Sequence, residues 1–462
     1  MKKDKKTHTK LWLILIGCLI VIVPVAWILM VRLEGEAPVV ETDRLSSYLG
    51  RTQEFTVSVS DAKSGLRNLW VGLLKDGKET VLHDESFPSR GFLKGGSFHE
   101  ASVTIPVAPK DLGYSDGKAT LRMVVRDYSW RDWWKGNRTY AEKEVLIDTR
   151  PPAIEVLSHA HNVNQGGAGL AIFRTSEDCT QSGVQVGDRF YPGHPGFFND
   201  ARVYVAFFAL GYDQGTDTAI HVKATDLAGN EGQGGLNYHL RRKVFRKDRI
   251  NITDDFLASK LPDFAAEIPQ DANLSPVDKF LAVNRDLRKS NYRQIAEVCG
   301  NSNNKLYWQG AFLRLPKSAS RARFADHRTY FYQGKEIDRQ VHLGIDLASL
   351  ANSPVPVANA GVVVLARPLG IYGDTVIVDH GFGLFSMYSH LSYIGVKPGD
   401  QLASGDILGR TGATGLAGGD HLHFSMIVTN TFVNPVEWWD ERWIDHNVQS
   451  KIEQVKTILM QE

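Results

Sequence analysis

A mainly β chain behind one N-terminal apolar helix is the fold class this sequence predicts, and three observations carry the prediction. Residues 11–31 contain no charged side chain. Residues 40–241 break into short alternating runs separated by turn-forming residues, the pattern of β-sandwich modules. Near the C-terminus, histidines stand in strand-like runs punctuated by glycines. At 462 residues the chain has room for about two to four domains. Its formal net charge of +1 gives no reason to expect a nucleic-acid partner.

The apolar run follows Lys2, Lys3, Lys5, Lys6 and Lys10. It is long enough to cross a bilayer as a helix. A cleaved signal peptide would have a shorter apolar stretch and a small-residue cleavage site, whereas this run ends in Val31-Arg-Leu-Glu-Gly-Glu36. Leu15-Ile-Gly-Cys18 matches the box before a lipidated cysteine, but the apolar run continues unbroken to Trp27 where a lipoprotein should turn polar. The expectation is a single-pass anchor over residues 11–31 in the inner (cytoplasmic) membrane. The lysines keep residues 1–10 cytoplasmic and residues from about 33 onward outside, in the periplasm or cell envelope.

Two modules follow, over residues 36–150 and 151–243. In the first, Phe55-Thr-Val-Ser-Val59 alternates before the turn Asp61-Ala-Lys-Ser-Gly65, and Leu121-Arg-Met-Val-Val125 runs into Asp127-Tyr-Ser129. In the second, Ser176-Glu-Asp-Cys-Thr-Gln-Ser-Gly183 echoes the first turn, and His221-Val-Lys-Ala-Thr-Asp-Leu-Ala-Gly-Asn230 echoes the later strand and turn. Ile147-Asp-Thr-Arg-Pro-Pro152 stiffens the joint. That joint and Ala224-Thr-Asp-Leu-Ala-Gly-Asn230 resemble the joints and closing turns of bacterial immunoglobulin-like modules, which implies two tandem β-sandwiches able to dock envelope protein partners or to hold a catalytic domain at the reach of the wall. Trp130, Trp133 and Trp134 fall in a loop-like stretch, where they would pack on a sandwich edge or contact glycan. Cys179 and Cys299 lie outside the helix and would form one disulfide or stay free.

Residues 244–303 change pattern. Ser275-Pro-Val-Asp278 offers a serine cap and a proline at the first helical position, and Phe280, Val283, Leu287 and Ile295 make a broken apolar stripe. One or two helices are expected here, as a packed linker or as a lid over the site described next.

The chemistry-bearing residues come after. His342-Leu-Gly-Ile-Asp346, Tyr388-Ser-His390 and His421-Leu-His423-Phe424 combine imidazoles and a carboxylate. A catalytic zinc takes three such ligands and leaves a position for water, whose pKa falls to about 7. His342, Asp346 and one of the pair His421 and His423 fit that count. Side chains two apart in a strand share a face, so His421 and His423 enter one cleft while Leu422 turns into the core. Val376-Ile-Val-Asp-His380 and Leu384-Phe-Ser-Met-Tyr388 read as neighbouring strands around the turn Gly381-Phe-Gly383.

Those three segments, in that order, resemble the lysostaphin-type (LytM-like) zinc metallopeptidases that cut peptidoglycan cross-bridges. The resemblance covers roughly residues 307–443 and implies an antiparallel β-sheet peptidase domain, placed here at residues 304–445 before a helical tail at 446–462. It implies that His342, Asp346 and His423 ligate Zn2+, and that His390 and His421 divide the tasks of general base and oxyanion stabiliser. Asp420 stands where the family often has proline, and Ser425 where it often has glutamate, which puts only cleft shape in doubt. The expected function is a membrane-anchored zinc metalloendopeptidase acting on peptide cross-links of peptidoglycan. An anchor without wall-binding repeats favours a D-alanyl to diaminopimelate link over a glycine bridge. The rivals are a non-catalytic activator of other wall hydrolases, which would lack ligands, and a zinc peptidase with an envelope protein substrate.

Other histidines serve as controls. His159-Ala-His161 has the same spacing but no carboxylate partner, so it reads as structural, and His327 and His380 read as rim or turn residues. Gly409-Arg-Thr-Gly-Ala-Thr-Gly-Leu-Ala-Gly-Gly419 lacks the ending of a phosphate loop and leads into a strand.

Overall fold

In a computed structural model of the chain, which describes residues 4–43, 45–268 and 274–461, the uncharged run forms the helix Asp4–Arg32. Its segment Thr9–Arg32, 24 residues, is long and apolar enough to cross a membrane. That length is about 36 Å against roughly 30 Å of bilayer hydrocarbon. The rest is mainly β. The chain divides into two compact units, one of residues 1–151 with 226–230, the other of residues 152–225 with 231–462.

In the first unit, period-two alternation gives the strands their faces. Phe55, Val57 and Val59 on Gln53–Ser60 point inward, as do Leu121, Met123 and Val125 on Gly117–Asp127. The first strand sits centrally in a three-stranded antiparallel sheet with Val39–Glu41 and Glu100–Val107. The second lies in a five-stranded sheet between Leu66–Lys75 and Arg138–Ile147. Both sheets close on one apolar core.

The second unit begins with the sheets of residues 154–241. The stretch expected to be a turn at 176–183 is bent only at its start, and Cys179–Val186 is a strand paired with Arg189–Pro192. Pairing there outweighs the local turn signal, because Ser182, Gly183 and Val184 are buried against the partner strand. Residues 152–225 and 231–241 do not keep a core to themselves. Phe207 packs on Trp308 and Trp438, with ring centroids 6.1 and 6.0 Å away, and Tyr191 Oη hydrogen-bonds Thr431 Oγ1 at 2.8 Å. The carboxylate of buried Glu437 accepts from Asn164 Nδ2 at 2.6 Å and from the Ala168 N–H at 2.9 Å. One continuous apolar cluster therefore runs from Leu170 through Phe207 to Phe424 and Val455.

The described residues from 254 to 298 are largely helical. Thr253 caps Asp254–Lys260 by accepting from Phe256 N–H. Ser275 and Asp278 form a capping box at the start of Pro276–Leu281, as the sequence predicts. A π-helical turn, Ala282–Leu287, joins that helix to Arg288–Val298. Cys299 is buried behind it, and neither it nor Cys179 forms a disulfide.

The C-terminal region is built on a large antiparallel sheet whose central strands are Ile345–Ala348, Leu422–Val428, Leu384–Leu391, Asp374–Gly381 and Gly361–Pro368, in that order. The alternation expected of Leu422–Val428 is absent, since all its residues are buried, as are those of Leu384–Leu391. Leu422, Phe424 and Met426 face the shared core. Ile427, with Phe385 and Met387 of the neighbouring strand, packs on Ile295 and Val283 of the helical segment. A sheet covered on both faces buries both sets of side chains, so its positions are apolar or, like Ser386 and Ser425, hydrogen-bonded. The tail forms Ser450–Gln461, with Ile452 and Val455 in the core.

Candidate active site

Strand register assembles the site. Lys335–His342 ends at His342, and after Leu343 and Gly344 the chain re-enters the sheet as Ile345–Ala348. Asp346 pairs across with His423, and His423 pairs on its other side with Ser389, the neighbour of His390. His421 sits just before Leu422–Val428, bridged to Gly412. Leu422 turns into the core and is buried. Gly344 is required by close approach, since a Cβ there would lie 2.5 Å from His423 Nε2 and 2.6 Å from Ser425 Oγ.

Each histidine is fixed by a bond on its far side. His342 donates its Nδ1–H to Arg323 O at 2.9 Å, His390 to Thr414 O at 2.8 Å and His421 to Gly419 O at 2.8 Å. Ser425 spends its one hydroxyl proton on Leu343 O at 2.8 Å, so at 3.0 Å its oxygen accepts from His423 Nε2–H. Those bonds select the neutral tautomers. They leave lone pairs on His342 Nε2 and His423 Nδ1, which lie 2.9 Å apart and each 2.9 Å from Asp346 Oδ1. His421 Nε2 is 3.6 Å from the same oxygen. Three acceptors turned on one another repel unless a cation lies among them, so the donor set fits a metal ion. Among the described residues, His342, Asp346 and His423 form one group able to hold one, their ligand atoms within 4.8 Å of one another.

The electrostatics follow from burial and crowding. Burial, with neighbouring imidazoles, pushes His423 down to about 4 and His390 well below its ordinary value. His390 also adopts φ of 62°, a left-handed conformation that costs a non-glycine residue roughly 1–2 kcal/mol and turns its ring toward His421, centroids 4.9 Å apart.

The cleft around these groups measures 460 Å³. Thr253, Phe256, Phe280 and Arg288 of the helical segment line it together with Tyr330, Tyr372 and Leu416, so the predicted linker forms part of the wall of the site. Two functional neighbours escape the sequence motifs. Arg328 Nη2 pairs with Asp346 Oδ2 at 3.1 Å, reaching it from the strand Asp326–Tyr332 that pairs with Lys335–His342. Ser425, which the sequence suggests affects only cleft shape, instead orients His423. A serine two residues beyond a ligand in the same strand shares its face, and that spacing is the signal that could have found it.

The control histidines separate from the site. His161 is buried between Ser158 Oγ at 2.9 Å and Asn237 O at 3.0 Å and is driven to about 4 by burial, as a structural residue would be. His380 is not at a rim or turn. It lies in the doubly covered strand Asp374–Gly381, fully buried, donating to Ala360 O at 2.7 Å and bonded to Ser386 Oγ at 2.7 Å. His327 lies in a strand, against the rings of Tyr212 and Phe245.

Residues 340–435 match the sequence profile of Peptidase family M23. The C-terminal region is an M23 peptidase domain. Over 96 residues it is 38% identical to the peptidoglycan DD-endopeptidase ShyA of Vibrio cholerae, an overlap of 21% of this chain and 22% of that protein. Over 97 residues it is 34% identical to the DD-carboxypeptidase/endopeptidase Mpg of Neisseria meningitidis, again 21% of this chain and 22% of the relative. The chain thus spans about a fifth of the length of these curated relatives. Among solved structures, the catalytic domain of lysostaphin from Staphylococcus simulans is 26% identical, covering 26% of this chain and 90% of that one with a TM-score of 0.22. The M23 domain carries all five of the site residues singled out above.

Proposed function

We propose that the protein is a membrane-anchored zinc metalloendopeptidase that hydrolyses peptide cross-links of peptidoglycan. The observation that carries this reading is the convergence of His342, His421 and His423 on Asp346, with His390 against His421 and His423, inside an M23 domain. No ligand position is vacated, which counts against a non-catalytic activator. The relatives named as peptidoglycan endopeptidases support the substrate class, and the helix Thr9–Arg32 supports anchoring, with the catalytic domain in the periplasm or envelope. Residues 36–150 and 151–243 are read as immunoglobulin-like modules open to envelope partners.

His342 Nε2, Asp346 Oδ1 and His423 Nδ1 would hold Zn2+. Bound there, zinc supplies Lewis-acid polarisation of the scissile carbonyl and an acidified water. The remaining work belongs to the chain. Arg328 steadies Asp346 through its second oxygen, and Ser425 and the Arg323 carbonyl keep the ligand rings in register. His421 and His390 present Nε2 to the cleft and divide proton transfer from the attacking water and stabilisation of the developing oxyanion. The aromatic wall, with Tyr372 5.6 Å from His423 ring to ring, limits water around the reacting bond.

The test is digestion of purified sacculi by the full chain, followed by mass spectrometry of released muropeptides. Cleaved cross-links are expected from the wild type and none from His423→Ala. Intact sacculi beside cleavage of an envelope protein would overturn the peptidoglycan assignment.

A further inference from the structure

The tryptophans of residues 130–134 do not line the cleft of the candidate active site, and Trp130 is the least exposed of them. Its ring is half-buried and stacks on Phe92 at 4.9 Å. Trp133 is 89% exposed, Trp134 55%, Phe92 63% and Leu93 55%. Phe92, Trp130 and Trp134 nevertheless touch one another, with centroids 4.9 to 5.5 Å apart, so this is one apolar patch and not scattered residues. Contiguous exposed apolar surface of this kind marks a binding face.

The backbone is held in an unfavourable form to present it. Asp132, Trp133 and Trp134 have φ of 48°, 51° and 69°. Three successive left-handed non-glycine residues cost of the order of 1–2 kcal/mol each. A chain relaxing freely would abandon that conformation.

The location names the occupant. The backbone N–H of Trp130 donates to Arg32 O at 2.5 Å, and Arg32 is the last residue of the apolar helix. Arg131 Nε donates to Leu33 O at 3.0 Å, and Asn137 Nδ2 to Glu36 O at 2.9 Å. The Arg32 guanidinium lies 5.3 Å from the Trp130 ring centroid. The patch is therefore bonded to the point where a spanning helix leaves the hydrocarbon. The two segments that hold these rings, residues 88–98 and 129–136, carry exposed Arg90, Lys94, Arg131 and Lys135 against one exposed acid, Asp132, a positive balance that suits phosphate headgroups. Tryptophan at that depth gains from burying its ring while its N–H stays in the polar layer.

We propose that residues 88–98 and 129–136 form an interfacial docking surface for the phospholipid bilayer, with Trp133, Trp134, Phe92 and Leu93 seated at headgroup level. The proposal rests on the membrane-anchoring reading above. Its effect is to add a second attachment beside the helix, fixing the tilt of the first unit against the membrane.

The full chain is reconstituted into nanodiscs containing lipids brominated near the headgroup end of the acyl chain, and tryptophan quenching is compared between wild type and the Trp133→Gln, Trp134→Gln double variant. Both side chains are exposed, so the variant folds. Trp12 and Trp27 in the helix are quenched in either protein, and the double variant is expected to lose roughly a third to a half of the quenched emission. Equal quenching of the two proteins, with the helix signal intact, overturns the proposal. Loss of all quenching, together with release of both proteins by alkaline carbonate, shows that the anchor reading itself has failed. Weakened pelleting of the variant with sacculi and unchanged quenching would assign the patch to glycan and overturn the bilayer assignment.

Discussion

Ser425→Ala removes a single oxygen from the core of the site. The hydroxyl is fully buried and serves two partners, donating to Leu343 O and accepting from His423 Nε2–H. Alanine leaves a carbonyl and an imidazole N–H unsatisfied where no water reaches, and each such group costs about 1–3 kcal/mol. Part of that cost is relieved if the His423 ring rotates, but rotation swings Nδ1 away from Asp346 Oδ1. The same loss therefore emerges as weaker metal binding, of about 10–100-fold, or about 1.4–2.7 kcal/mol. Two measurements check it: zinc affinity by competition with a chromophoric chelator, and stability of the metal-free protein by urea denaturation. A variant that binds zinc within twofold of wild type and unfolds at the same urea concentration would refute the claim that this hydroxyl fixes the tautomer.

Further outcomes follow from the same geometry. His423→Ala is expected to abolish both zinc binding and cleavage of sacculi, whereas His421→Ala retains most of the metal and loses about 100-fold or more in rate, read by metal analysis beside muropeptide release. Gly344→Ala drives a methyl into His423 and Ser425 and should cost about 1–3 kcal/mol in urea denaturation, with weakened zinc binding. Burial pushes the Glu437 carboxyl up to about 7 from 4.5, so its protonated form stabilises the fold fully below pH 4.5. That contribution is lost as pH rises toward 7, by up to about 3 kcal/mol. Glu437→Gln removes this titration, and the melting temperature of the wild type should fall relative to the variant between pH 5 and 8.

Whether a feature was legible depended on where its determinants lie. His342 and Asp346 flank a tight Gly344 turn, and His421 and His423 share a strand face, so each pair leaves a local pattern that the linear sequence displays. Ser275 and Pro276 likewise announce their helix, because capping is settled within one turn. Arg328 could not be found in this way, because its contact with Asp346 arises only when Asp326–Tyr332 pairs with Lys335–His342. His380 was misplaced because its neighbours Gly381 and Gly383 signal a turn, while the burial of its strand comes from layers on both faces of the sheet. The shared core was invisible for a related reason: Phe207 and Trp438 each sit in an ordinary apolar pattern, and nothing local tells an inward face from one reserved for a segment about 230 residues away. The outward rings of Trp133 and Trp134 depend on a left-handed backbone that residue types alone argue against.

That shared core also sets a schedule for synthesis. Residues 152–241 leave the ribosome well before Trp308 and Trp438, the side chains that pack on Phe207. Until the last of these emerges, the nascent segment carries a large uncovered apolar face, the kind of surface on which incomplete chains stick to one another. Folding of this half is thus completed only after Trp438 has been translated, and a chain stopped short of Trp438 should depend on chaperones although most of its strands are already made.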